Sequence, residues 1–408
     1  MTRRTSQTSR FPTTLFSIAL GLGALLLLAS GCGSDIARVG VVVPETGDYQ
    51  SYGQALKKGI EVAVEQLQAE PQGAKIEIEI VDSKSDPDEA AQALNQVFDN
   101  GAQIAIGGVT SGEALRMIEV VDGRGRVLVS PSASSPELTG ISSNFYRTYP
   151  SDLLEANKMA MFTAETLKTK SLVIWAQQDI YGAGIDSAFR QEFEKLGGKV
   201  DGDTFPLPQT ASELSGIAES IRDVDPAAVY IAGYDSNVAD AIHALRKVHF
   251  KGRILTTSAF ATPAGIEGAG DDADGVLLTQ IVFDVDSEHA HVQSFVARFR
   301  KTFGEKPDLY AALGYDAMMV VAAAVKDRPL LHGEILKGMR GIKEFPGVTG
   351  SIQFDERGDV KKFPRVYQIS QGALVNYDEL IRLKREEVAR QRRVLQERLL
   401  KLHQEGGN

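Results

Sequence analysis

The sequence predicts an α/β protein built as two lobes, each a parallel sheet covered by helices on both faces. Three observations carry this. Short β-branched runs alternate with amphipathic helical stretches, and strand–helix–strand repetition of that kind gives parallel order with right-handed crossovers. The alternation runs through twice, its second set beginning after "RTYPSD". The 408 residues also exceed what one ordinary hydrophobic core supports.

The elements follow in order. Residues 1–31 read as a signal peptide: Arg3, Arg4 and Arg10 precede an apolar stretch over 15–29 that is short for a membrane span. The stretch closes on "LASGC", which resembles the lipobox of bacterial lipoproteins, so Cys32 is the expected lipidation site; a single transmembrane anchor is the alternative. Cys32 is the only cysteine, so no intramolecular disulfide supports the fold. Without residues 1–31, 41 Lys and Arg face 54 Asp and Glu, an acidic balance that argues against nucleic acid as partner.

The first set of strands is "RVGVVV", "KIEIEIV", "QIAIGG" and "RVLVS"; the second is "SLVIWA", "AAVYIA", "RILTTS" and "GVLLTQIVF". Helices are predicted between them, as over 54–68 and over 87–99, where Ala90, Ala93, Leu94, Val97 and Phe98 recur at helical spacing. Further helices are expected over 288–303 and 310–326. The stretch "GVTGSIQFDERGDVKKFPRVYQISQG" then reads as two strands around a turn at 356–358. From residue 377 the composition turns to charged, Leu-containing helix. Ile381, Val388, Leu395 and Leu402 recur every seven residues there, with Leu399 four after Leu395, but Lys384 and Gln391 occupy the complementary seam. Such a helix either packs as a solvated amphipathic element or mediates self-association or partner binding.

Ligands of parallel α/β folds sit beyond the carboxyl ends of the strands. There the sequence places "GGVTSG" and "SPSASSPELTG", offering Ser111, Ser130, Ser132, Ala133, Ser134 and Ser135. Prolines block helix in the second loop, and backbone amides left unpaired suit a carboxylate; serines that merely satisfy their own turn are the bland rival. Tyr52, Tyr181 and Tyr234 fall in strand-end loops, where an aromatic wall with a polar tip is useful. Asp152, Asp179 and Asp235 are carboxylates available to a cation, or helix caps.

Enzyme readings find little support. No dinucleotide fingerprint or "GxxxxGKS" loop is present, and Ser111 is not in a "GxSxG" elbow. The six histidines are scattered, with only His289 and His291 close, so no metal site and no cofactor are expected.

As an ordered set, "GVVVPETGDYQSYGQALKKGIEVAVEQLQ", "IAIGGVTSGEAL", "VLVSPSASSPELT", "FYRTYPSD", "QDIYGAG", "GVLLTQ", "YAALGYDAMMVVAAA" and "GSIQFDERGDV" resemble the branched-chain amino-acid-binding proteins of ABC importers, the type I periplasmic binding proteins. The similarity runs over about 36–377. The resemblance implies two Rossmann-like lobes, 36–150 with 283–354 and 151–282 with 355–376. A three-segment hinge would cross near 149–152, 281–284 and 354–363, with Asp152 in its first segment, and residues 377–408 would form a tail. It also implies an extracytoplasmic lipoprotein that hands an amino acid or related small carboxylate to an ABC permease. Carried over residue by residue, Ser111 with Ser132, Ala133 and Ser134 would hold the carboxylate, Tyr52 would line the first lobe, and Tyr181 and Tyr234 would close from the second. Where relatives often place an acid for the ammonium group, this chain has Ser258 and Ala259. Asp235 or Asp152 would then compensate, unless the ligand lacks the ammonium. An envelope lipoprotein sensing a ligand or activating a partner enzyme through the same fold and tail is the second reading, and an enzyme using Ser111 the third.

Overall fold

The computed structural model describes residues 1–2 and 36–405, apart from 72 and 209; the signal peptide and Cys32 lie outside the described residues. The first lobe is laid down by β1 (Ala37–Val43), α1 (Gln50–Ala69), β2 (Ile76–Asp82), α2 (Pro87–Asp99), β3 (Ile104–Gly107), α3 (Ser111–Arg124), β4 (Val127–Ser130) and β5 (Phe145–Arg147). Its strands order as β2-β1-β3-β4-β5, all parallel. β3 and β4 are buried along their whole length, the mark of strands covered on both faces. Local signals set the helix ends: Asp86 accepts from the amides of Asp88 and Glu89 with Pro87 in the first turn of α2, and Gly125 takes the left-handed conformation that stops α3.

The second lobe follows as α4 (Asp152–Met161), β6 (Ser171–Ala176), α5 (Ile180–Lys195), β7 (Lys199–Val200), β8 (Phe205–Pro206), α6 (Ala211–Val224), β9 (Ala228–Ala232), α7 (Asp235–Lys247), β10 (Arg253–Thr256), α8 (Pro263–Ala269) and β11 (Leu277–Gln280). The chain then returns to the first lobe as α9 (Ala290–Phe303), α10 (Leu309–Val325), α11 (His332–Arg340), β12 (Phe345–Gly347) and β13 (Gly350–Ile352). It crosses once more to add β14 (Arg365–Ser370) and β15 (Ala373–Asn376), and ends in α12 (Tyr377–Glu405). The second sheet orders β15-β14-β11-β10-β9-β6-β7, with β8 also on β6; β14 and β15 are antiparallel additions at one edge.

The returning helix α10 is buried nearly all round and lies against α1. Two glycines permit the approach. A Cβ on Gly59 would stand 1.8 Å from the carbonyl oxygen of Ala311, and one on Gly314 2.1 Å from that of Leu56. Backbone meets backbone there, which only glycine allows.

Three segments join the lobes: β5 to α4, β11 to α9, and β13 to β14. The last was expected as a crossing and as two strands around a turn at 356–358. Both strands are present, but they do not pair with each other: β13 pairs with β12, β14 pairs with β11 and β15, and the turn between is closed by a single Phe354–Val360 bridge. The segment is a crossing, so its two halves serve different sheets. Arg147, buried at the end of β5, grips it: Nε donates to Asp359 Oδ1 at 2.7 Å, Nη2 to Asp359 Oδ2 at 3.0 Å, and the Arg147 amide to the Gly358 carbonyl at 3.0 Å. A bidentate guanidinium–carboxylate pair fixes direction as well as distance.

α12 begins on the body, where Tyr377 meets Phe162 edge-on at 4.8 Å, and then runs through solvent with Leu383, Val388, Val394 and Leu395 exposed. Among the described residues no helix is long and apolar enough to cross a membrane.

Candidate functional site

The carboxyl ends of the two sheets face one another across a narrow cavity, partly open to solvent, with about 30 Å³ open to the centre of a water molecule. The first lobe lends Tyr52 from α1, Val109 to Ser111 from the β3–α3 turn, and Ser132 and Ser134 from the loop after β4. Facing them are Tyr181 from α5, Tyr234 before α7, and Ser258 and Ala259 after β10. Tyr149, in the first crossing, and Tyr310, in the first turn of α10, complete the wall.

Seven of the residues singled out in the sequence are thereby brought together: Tyr52, Ser111, Ser132, Ser134, Tyr181, Tyr234 and Ser258. Ala133 instead packs into the first lobe's core. In an extended segment alternate side chains point opposite ways, so Ser132 and Ser134 share the cavity face and Ala133 turns from it.

The serine loop was expected to leave its amides free. Most are taken by the protein's own hydroxyls. Ser130 Oγ accepts from the Ala133 amide at 2.9 Å, and Ser111 Oγ accepts from the amides of Ser134 at 3.3 Å and Ser135 at 3.1 Å. Buried donors must find acceptors, and the nearest hydroxyls supply them. The open donors lie at α3 instead. Thr110 and Glu113 form a reciprocal cap that satisfies the amides of both residues, which leaves the first-turn amides of Ser111 and Gly112 without a partner among the described residues. A helix N-terminus with two free amides favours an anion, and Ser111 lines the cavity.

The lobes also touch directly. Tyr52 hydroxyl donates to the Ala259 carbonyl at 2.6 Å and accepts from the Asp235 amide at 2.7 Å, while Ser51 Oγ donates to Asp235 Oδ2 at 2.5 Å. Asp235 further accepts from Thr262 Oγ1 at 2.9 Å and from the Ser236 amide at 2.8 Å. Its carboxylate is therefore occupied in holding the lobes together and does not line the cavity.

Tyrosine rings form the rest of the lining. Tyr52 stands edge-on to Tyr310 at 4.7 Å and to Tyr234 at 6.2 Å, and Tyr234 lies 5.1 Å from Tyr181. Burial raises all four hydroxyl pKa values well above the ordinary tyrosine range, so they remain neutral donors. Behind the wall, Tyr149 hydroxyl donates to Ser258 Oγ at 2.8 Å, and Ser258 donates in turn to Glu155 at 2.9 Å from its hydroxyl and 2.6 Å from its amide. Burial pushes Glu155 up to about 7, against these hydrogen bonds. Asp152 is also held well above the ordinary carboxylate range, by burial and then by Glu155.

Tyr149, Glu155 and Tyr310 were not found from sequence. Tyr149 and Glu155 flank the predicted hinge residue Asp152, so proximity to it was the available signal. Tyr310 lies far along the chain, and only the return of α10 to the first lobe brings it here. His289 and His291 stack at 5.7 Å, and no cluster of three or more metal-ligating side chains occurs among the described residues.

A family model described as "Periplasmic binding protein" matches residues 37–373. The leucine-, isoleucine-, valine-, threonine-, and alanine-binding protein of Pseudomonas aeruginosa is 24% identical over 338 residues, covering 81% of this chain and 88% of its own. Among solved structures, the leucine binding protein LivK of Thermotoga maritima is 27% identical with a TM-score of 0.76, covering 84% of this chain and all of its own. An ABC transporter substrate-binding protein of Desulfitobacterium hafniense, solved in complex with Leu, is 25% identical with a TM-score of 0.71 over 84% of this chain. The matched region takes in the first sheet, the second sheet up to its edge strand β15, all three crossings and every wall of the cavity, and the chain belongs to the periplasmic binding protein family, in its type I form.

Proposed function

We propose that this chain is an extracytoplasmic solute-binding protein that encloses an amino acid or similar small carboxylate between its lobes and presents the closed form to an ABC permease. The observation that carries the reading is a cavity lined from both sheets at their carboxyl ends, with free first-turn amides of α3 at one wall. The curated relative and the leucine-bound structure above support amino acids as the ligand class.

In this reading Ser111 and its neighbouring amide receive the carboxylate, Ser132 and Ser134 flank it, and the tyrosines cover the remainder. Lobe boundaries fall at 150/151, 282/283 and 354/355, with Asp152 at the hinge. A lipid on Cys32 holds the protein to the membrane. Solute contacts made only in the closed form shift the opening equilibrium, and the permease reads the result. Calorimetric titration of the folded chain against amino acids and their organic-acid analogues tests the proposal; heat from none of them would refute it.

The exposed apolar residues of α12 favour a second reading, a sensor or activator that engages a partner through this helix. Truncation of the helix with solute binding and particle mass as readouts separates the two.

A further inference from the structure

α12 leaves the body after its first turn. Tyr377 packs on Phe162, and Leu380 and Ile381 are half-buried, but over residues 382–398 every side chain except that of Glu387 is exposed. That stretch is roughly 25 Å of helix at about 1.5 Å per residue, with water around it. Seven of its residues are Lys or Arg and three are Glu. The body is charged the other way, with 33 Lys and Arg against 48 Asp and Glu over residues 32–376.

Pairing along the helix accounts for two of the cations. Arg382 donates to Glu386 at 2.9 Å, and Arg390 pairs with Glu387. Lys384, Arg385, Arg392, Arg393 and Arg398 make no ion pair among the described residues. Their placement follows a pattern. Ile381, Val388 and Leu395 are seven apart and fall within about 40° of one another around the helix axis. Lys384 and Arg398 border this stripe on one side, Arg385 and Arg392 on the other, and Glu379, Glu386 and Glu397 take the opposite face. Leu383 and Val394 lie off the stripe.

A surface that fits this face is apolar along its middle and anionic along both borders. A second copy of the helix is not. Pairing along 381, 388 and 395 brings 384, 391 and 398 into the other half of the seam. A parallel pair then sets Lys384 and Arg398 each against its own copy, and an antiparallel pair sets one against the other, so cation meets cation either way. The boundary between headgroups and acyl chains of an anionic bilayer does fit. Val388 and Leu395 enter its apolar side, while the Lys and Arg stems lie along it and carry their charges out to the phosphates.

We propose that α12 is a membrane-surface helix: its 381–388–395 stripe beds into an anionic bilayer, and Lys384, Arg385, Arg392 and Arg398 bind the lipid phosphates. Because α12 grows from β15, the second lobe is the one held at the surface. The acidic body is repelled by the same lipids and stands off, so the contact orients the molecule without laying it flat. Nothing in this depends on what the cavity binds.

The test is co-sedimentation of residues 32–408 carrying Cys32→Ser, so that neither the apolar leader nor an acyl chain contributes. Vesicles of phosphatidylcholine with about 30 % phosphatidylglycerol are compared with vesicles of phosphatidylcholine alone; each cation near an anionic surface is worth about fivefold in partitioning. At least tenfold stronger binding to the anionic vesicles is expected, lost at high salt and on truncation after residue 382. Replacing Lys384, Arg385, Arg392 and Arg398 together by Gln, which keeps the helix, should weaken it at least tenfold. Val388→Ser with Leu395→Ser should weaken it at least fivefold, and Leu383→Ser with Val394→Ser by less than twofold. No binding, equal binding to both kinds of vesicle, binding kept by the truncated chain, or equal losses for the two serine pairs would overturn the inference. So would a particle mass that doubles without vesicles and reverts on truncation, which would assign the helix to a second copy. Solute affinity is not a readout here, so failure leaves the solute-binding reading standing.

Discussion

Tyr52→Phe removes one oxygen from the contact that holds the lobes together and nothing from the ring packing, since the 4.7 Å edge-on contact with Tyr310 needs only the ring. Two hydrogen bonds are lost, to the Ala259 carbonyl and from the Asp235 amide. At roughly 0.5–1.5 kcal/mol net for each, closure is weakened by about 1–3 kcal/mol. At about 1.4 kcal/mol per factor of ten, that is on the order of a 5- to 150-fold rise in Kd. The loss should fall on closure alone. With the lobes apart, hydroxyl, amide and carbonyl are all free to meet water, so the folded open form is not penalised. Titration with a binding solute gives Kd, and small-angle scattering gives the fraction closed. A Kd within twofold of the parent protein, with an unchanged scattering radius, would refute the assignment of these bonds to closure.

Ser111→Ala should weaken both binding and folding, because Ser111 Oγ also accepts the buried amides of Ser134 and Ser135; a stability loss of about 1–3 kcal/mol by urea titration is expected. Gly59→Ala forces a methyl into the Ala311 backbone at the α1–α10 crossing and should cost roughly 1–3 kcal/mol or more, read as a lowered Tm. Glu155 titrates near 7 in the fold and at its ordinary, lower value when unfolded, so the folded state binds the extra proton. Its contribution is complete below the unfolded pKa and is lost as pH rises through about 7; Tm should fall between pH 5 and pH 8, and Glu155→Gln should flatten that fall. Truncation after residue 382 keeps the Tyr377–Phe162 contact and removes exposed helix, so stability should change by no more than about 0.5 kcal/mol. A changed particle mass in that variant would identify α12 as an assembly element.

Both sheets and the serines at their ends are legible in the sequence because each depends on local pattern. β-branched runs mark buried strands, and small polar residues after them mark the open end of a parallel sheet. What escapes is set by distant partners. Tyr310 reaches the cavity only because α10 crosses back onto α1 through Gly59 and Gly314. Asp235 reads as a free carboxylate until the other lobe brings Ser51 to it. The amides of the serine loop look available until Ser111, more than twenty residues earlier, turns its hydroxyl to them. The strands flanking residues 356–358 resemble a hairpin, yet each finds a better neighbour in a different sheet.

The clasp between Arg147 and Asp359 bears on how the molecule moves. It rivets two of the three connecting straps into one ribbon, leaving only the stretch between β11 and α9 to slide independently. A body hung this way swings about a single line, as a door does, and has little freedom to skew or shear. Ajar positions then differ in angle alone, which lets whatever reads the protein from outside sense one coordinate.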